Sequence, residues 1–254
     1  MFDERRHLDN ESQAYGYTAW LAKYLGTREQ STSVGFQHGW IWWDIEKTVL
    51  PYGLDPNWGK SSKLLVQDEK IAEGVRELGK EATACGLPFL NYFEYGKTVY
   101  ERDKDLLFIP AHSNSSSKVT PQIYESIKAA KEKYSGAVLL AYEDRELEPE
   151  IKDWFTVEAG AGDLELNSFE RLSRIFQQYS VAVTDTLGSH VLYARWAGMP
   201  IGVDAQLAKG QKLEEADSLY PGLVIDGNDP VLWDLPEIAM CEPKEIAKHF
   251  GWEI

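Results

Sequence analysis

The chain is poor in sulfur and carries no excess of positive charge. Cys85 and Cys241 are its only two cysteines. No C-x-x-C and no zinc-like Cys/His spacing is present, so neither a disulfide scaffold nor a structural zinc is expected, and a reducing cytoplasm is the compartment this usage fits. No apolar run approaches the roughly 18 residues of a membrane span, and the polar opening MFDERRHLDNESQ lacks the form of a secretory signal. Lys and Arg number 26 against 41 Asp and Glu, a formal net charge of −15. Such a surface repels phosphate backbones and anionic headgroups, which argues against a nucleic-acid partner. A Walker motif and a G-x-G-x-x-G are both missing, which argues against a P-loop NTPase or a standard dinucleotide enzyme.

What is present suits a soluble α/β protein. Apolar residues make up 43% of the 254 and charged residues 26%, enough to bury a core. Tyr17, Trp20, Leu21 and Tyr24 share one helical face over 10–25, and Gly26 is a stop signal. Short strands are predicted at 31–37, 63–67 and 89–93, a helix at 68–79, and loop at 50–62. From residue 106 the pattern is regular: strands at 106–110, 137–142, 154–158, 181–184 and 200–203, with helices at 120–134, capped by Thr120, and 168–179. Residues 94–104 form a linker. Continuous apolar strands alternating with helices indicate parallel sheets covered on both faces, whose ligands bind beyond the carboxyl ends of the strands.

Two loops at such ends have the chemistry of anion sites. In IPAHSNSSSKVTP, His112, Ser113, Asn114, Ser115 and Lys118 precede a helix start; in TDTLGSH, Thr186, Gly188, Ser189 and His190 open another. Hydroxyls, backbone donors and helix N-termini favour a phosphate there. Plain N-capping by Thr120 and Ser189 is the simpler role for either loop alone; their coincidence in one sheet favours nucleotide binding. His38, in VGFQHGW, is placed to act as a general base, with Asp44 and Glu158, the latter in the loop VEAGAGD, as reserve carboxylates. Trp40, Trp42 and Trp43 suit core packing or sugar stacking, and Arg195 a helix-surface salt bridge or a phosphate.

The segment SVAVTDTLGSHVLYARWAGMPIGV resembles the donor-phosphate region of GT-B bacterial glycosyltransferases that build capsule, lipopolysaccharide and other surface polysaccharides, with Gly198-Met199-Pro200 as its G-x-P. LLFIPAHSNSSSK falls where sialic-acid and Kdo-type transferases carry a His-Pro motif, although Ser113 here follows His112, and FQHGW is similar to the His-Gly motif of glycerophosphate and surface-sugar transferases. The resemblance implies two Rossmann-type halves with a cleft between them: a reduced acceptor-side domain over 1–103 and a nucleotide-sugar domain over 104–254, whose terminal helix over 242–254 packs back on the first. It implies transfer of a CMP- or UDP-linked sugar to a glycan or lipid-linked saccharide hydroxyl. No further cofactor or metal is required, and a peripheral membrane or partner-enzyme association stays open. The other readings are a nucleotide-sugar 2-epimerase using Glu158, Asp163 and Asp185, and a non-catalytic GT-B-like protein that binds a glycan or a partner.

Overall fold

A computed structural model describes residues 11–37, 39–42, 61, 63–96, 98–113, 118–160, 162, 165–208, 211 and 213–254. The chain divides into two compact units, one holding Thr98–Asp163 and Glu170–Leu235, the other Arg5–Lys97, Leu164–Phe169 and Pro236–Ile254. Each contains a parallel sheet, so the architecture is mixed α/β.

The smaller sheet belongs to the second of these units. After a 3-10 turn, Glu11–Gly16, helix α1 runs Tyr17–Leu25 and ends on Gly26, whose left-handed backbone (φ 68°) lets the chain reverse. Strands β1 (Val34–Phe36), β2 (Lys63–Val66) and β3 (Glu81–Ala84) pair in that order, all parallel. Helix α2, Glu69–Glu77, connects β2 to β3, with Asp68 accepting the Ile71 N–H as its cap. Ile71, Ala72 and Val75 bury its inner face against Leu64, Val66 and Ala82.

The third strand lies elsewhere than the apolar run at 89–93 suggests. Those residues sit in helix α3, Pro88–Gly96. Proline at the first helical position favours that outcome, and Phe89 and Phe93 stand one turn apart with ring centroids 6.4 Å from each other. Strand β3 is EATA, a sequence with weak strand preference; it is a strand because β2 offers it a free edge. The tryptophans resolve toward packing: Trp40 and Trp42 are buried in an edge-to-face pair 6.3 Å apart, while Trp43 lies outside the described residues.

Two features reach this unit from the end of the chain. Helix α9, Pro243–His249, opens with a capping box between Glu242 and Glu245 and packs against α1. Cys85, before α3, is joined to Cys241 by a disulfide across 156 residues of sequence. This corrects the expectation from cysteine usage, and with it goes that argument for a reducing compartment. Two cysteines without a local motif carry no spacing signal, so only the fold could pair them.

The larger sheet belongs to the other unit. In chain order its elements are β4 (Lys104–Ile109), helix α4 (Thr120–Ala130), β5 (Ala137–Leu140), a 3-10 turn (Tyr142–Leu147), the single turn α5 (Glu148–Ile151) and β6 (Thr156–Ala159). Helix α6 (Ser168–Gln178), β7 (Tyr179–Thr184), α7 (Ser189–Trp196), β8 (Ile201–Asp204), α8 (Leu213–Leu219) and β9 (Val224–Ile225) follow. Strand order is β6-β5-β4-β7-β8-β9, every neighbour parallel. Phe108, Ile123, Ile127, Val138, Leu140 and Val183 anchor its core. The chain builds outward from β4 to β6, then returns to the far side of β4 with β7. That reversal between β4 and β7 is where open α/β sheets leave a crevice.

Closing a loop of 156 residues removes conformational freedom from the unfolded chain. Reduction, or Cys241→Ser, is expected to lower the unfolding free energy of the unit holding α1 and α9 by about 2–5 kcal/mol. Urea denaturation with and without reductant measures the difference.

Candidate functional site

At the carboxyl ends of β4 and β7 the two polar loops meet. Their junction is Asp185, one residue past β7. Its carboxylate accepts the Ala111 N–H at 2.6 Å from the β4 loop and the Ser126 hydroxyl from α4. Burial raises its pKa above the ordinary aspartate value, outweighing the hydrogen bonds from Ser126 and Ala111 that favour the charged form. Gln211 holds the other side of the turn, donating to the Asp185 carbonyl at 2.8 Å and accepting the Leu187 N–H at 2.9 Å. Strand pairing brings the loops to one edge; Asp185 and Gln211 set their spacing.

A second carboxylate shapes the β4 loop. Asp144, in the 3-10 turn after β5 and only 1% exposed, accepts the Ser113 N–H at 2.7 Å and the Thr120 hydroxyl at 2.9 Å. The Ser113 hydroxyl accepts the Val119 N–H at 2.9 Å. Two expectations change here. Thr120 is the first residue of α4, after Val119, and its hydroxyl serves Asp144 in place of a cap. Ser113 is buried at 1% exposure and ties the loop to itself, so it positions the loop and does not offer a surface hydroxyl.

His112 is exposed, and its Nδ1 lies 2.9 Å from the Ser113 carbonyl oxygen. A carbonyl only accepts, so Nδ1 carries the proton and Nε2 is the ring atom left to a ligand. Lys118, at the end of the loop, forms an exposed ion pair with Glu146, an arrangement that contributes little stability. Asn114 and Ser115 lie outside the described residues.

Across the junction, the Thr184 hydroxyl closes the turn by accepting the Thr186 N–H and meeting the Thr186 carbonyl, both at 3.2 Å. Helix α7 begins at Ser189 after Gly188. The His190 ring folds back over that glycine, so closely that a Cβ at position 188 would stand 2.8 Å from ring atoms. Its Nε2 is 2.9 Å from the Thr184 hydroxyl. Burial, reinforced by the nearby charge of His112, pushes the His190 pKa down to about 3 against a smaller opposing contribution from the Thr186 backbone. His190 is therefore neutral at physiological pH. Thr186, Gly188 and Ser189 are all half-buried. Arg195 turns away from this edge: its Nε donates to the Trp233 carbonyl at 2.5 Å.

Glu158 is not a loop carboxylate. It lies on β6, where Lys104 at 2.5 Å and Tyr179 at 2.8 Å hold it. Burial alone would raise its pKa, but those hydrogen bonds and the charges of Lys104 and Arg174 leave it below the ordinary glutamate range. Its partners make it part of the sheet's own ion-pair structure.

In the other unit His38 and Asp44 lie outside the described residues; two buried glutamines tie together described residues near the end of β1. Gln37 donates to the Gly39 carbonyl at 2.7 Å and to Gln67 at 2.8 Å, and Gln67 accepts the Ile41 N–H at 2.7 Å. Gln37 lies within FQHGW, but Gln67, Asp144 and Gln211 belong to no motif. The only sequence signal for Asp144 is its place in a loop that follows a strand.

No family model and no curated protein matches this chain. Among solved structures it is similar to the wall teichoic acid polymerase TagF, at 12% identity and a TM-score of 0.34, over 79% of this chain and 51% of that one. The chain thus spans about half the length of that polymerase.

Asp144→Ala strands a buried N–H and a buried hydroxyl, and is expected to destabilise the larger-sheet unit by about 1–3 kcal/mol, with Asp144→Asn costing less because one acceptor is kept; urea unfolding compares the variants. For His190, the unfolded chain titrates near 6.5 and the folded one near 3. The unfolded state binds more protons across that window, so stability rises with pH through it, is complete above it, and is lost as pH falls. The His190 ring resonance should stay constant in NMR from pH 8 to about 4, and His190→Gln should flatten the pH dependence of the melting temperature in that window. A folded-state titration near 6.5 would show the ring to be solvated.

Proposed function

We propose that the chain is a glycosyltransferase of the GT-B type, moving a sugar from a CMP- or UDP-linked donor to a glycan hydroxyl in the synthesis of a surface polysaccharide. One observation carries this reading: the His112 loop and the Thr186–His190 turn stand side by side at the strand-order reversal of a parallel sheet, the place where such sheets take nucleotides.

The nucleotide phosphate belongs at the start of α7, where backbone N–H groups and the helix dipole favour negative charge. His112, exposed on the neighbouring β4 loop, is assigned to the same nucleotide on the sequence argument. Preorganised dipoles of this kind stabilise charge that develops on a departing nucleotide. The proton of the acceptor hydroxyl is assigned to His38 on the sequence argument. Asp185, Asp144 and Gln211 act as positioning residues, since their polar atoms are spent on the loops.

The test is a thermal-shift screen of the whole chain against CMP, CDP, UDP, GDP and TDP. A nucleotide at about 100 times its dissociation constant adds about 2.7 kcal/mol and raises the melting temperature by several degrees. A response to one base, lost in His112→Ala and Ser189→Ala at unchanged circular dichroism, supports the reading and names the donor. Turnover of the nucleotide sugar without an acceptor would favour an epimerase, and indifference to all five nucleotides would remove the assignment.

A further inference from the structure

Lys63, Cys85, Asn91, Cys241 and His249 all lie in the smaller-sheet unit, and three observations set the disulfide apart from a simple staple. First, the two residues differ in exposure: Cys85 is fully buried, whereas Cys241 is half-buried. Second, the two cysteines are held together without the S–S bond. The Cys241 N–H donates to the Cys85 carbonyl at 3.4 Å, and Asn91 donates to the Cys241 carbonyl at 2.8 Å while its own oxygen accepts the Tyr17 hydroxyl at 2.7 Å. Gly86, at φ 76°, has no side chain to displace the Met240 sulfur. Third, the His249 imidazole joins the two sulfurs in a group whose ligand atoms all lie within 4.8 Å of one another, and its Nδ1 is 3.1 Å from the Lys63 ammonium. An imidazole polarised by a cation and set beside a sulfur favours the thiolate, the form that exchanges.

We propose that Cys85–Cys241 is a reversible thiol–disulfide exchange site that takes small-molecule thiols at Cys241. The thiolate of the incoming molecule attacks the Cys241 sulfur and forms a mixed disulfide there, and Cys85 leaves with the bonding electron pair. A second thiol then attacks the sulfur of the adduct, giving a small-molecule disulfide and the Cys241 thiolate. The two thiols supply both electrons, and each protein thiolate takes up a proton. Closure runs the other way: the Cys85 thiolate, kept in register by the backbone and Asn91 contacts, attacks the adducted Cys241 sulfur and expels the small thiolate. The Lys63 ammonium donates to His249 Nδ1, so the imidazole keeps its hydrogen on Nε2 and steadies the Cys85 thiolate as a polarised donor, while the thiol proton passes to the buffer. The covalent tether on the C-terminal segment that carries α9 is thereby made or removed according to the thiol balance, while its non-covalent contacts stay in place.

The experiment places the full chain in glutathione buffers of stepped reduced-to-oxidised ratio, in the presence of a chelator, and reads the redox state by alkylation and intact mass. Wild type should pass between disulfide and dithiol in both directions with its far-UV circular dichroism retained. Under oxidised glutathione, Cys85→Ser should gain one adduct at Cys241, and Cys241→Ser should react at least about tenfold more slowly at the buried Cys85. His249→Gln should slow re-closure and shift its pH–rate profile, which a merely structural histidine would not do. Equal adduct formation in the two cysteine variants overturns the assignment. So does wild-type reduction that occurs only in denaturant, a measurement that decides the matter even where a variant fails to fold.

Discussion

The parallel pairing of β4 with β7 determines where the rest of the larger sheet can go. From Lys104 against Tyr179 to Ile109 against Thr184, it joins two strands separated in sequence by a complete β-α-β excursion on one flank. Because β5 and β6 occupy that flank, the chain after β7 builds on the other, and the loops leaving β4 and β7 diverge from a common line. A crevice at that line follows from the topology and requires no particular side chain. The chemistry of the site, histidines and a helix start facing one edge, is laid over this geometric fact.

What the topology opens, buried carboxylates hold in shape. Asp185 and Asp144 each take a backbone N–H and a hydroxyl. Between them they connect the loops after β4, β5 and β7 with the first turns of α4. Bonds to charged acceptors are stronger than neutral ones, and removing the carboxylate leaves the N–H and hydroxyl donors around it unsatisfied. The same logic recurs in the smaller-sheet unit with neutral groups, where Gln37 bonds to Gln67 and to the Gly39 carbonyl. Polar residues at the ends of both sheets thus hold loops for the exposed or half-buried groups next to them, of which His112 and Ser189 are the principal ones.

Much of this was legible in the chain. The alternation of apolar strands and amphipathic helices after residue 104 gives a parallel α/β sheet, because a strand buried on both faces must be apolar throughout. Gly26 as a helix stop follows from local chemistry alone. The segment 89–93 shows where local reasoning fails: a short apolar run suits a buried strand and a buried helix equally, and Pro88 together with the neighbouring aromatic rings settles it as helix. EATA becomes β3 for the opposite reason, since its own preference is weak and β2 supplies the hydrogen-bonding edge.

The sequence by itself determined the periodicities, the helix ends, the polar composition of the two loops and their position after strands, all of which rest on interactions within a few residues. Tertiary structure alone decided that Ser113 and Thr120 serve Asp144, that Glu158 pairs with Lys104 and Tyr179 on β6, that His190 stays neutral, and that Cys85 meets Cys241. The pairings among these join groups 21 to 156 residues apart in the chain. Their proximity is set by how strands pair and helices pack, and a side chain's protonation, partner or bond follows from its neighbours in space.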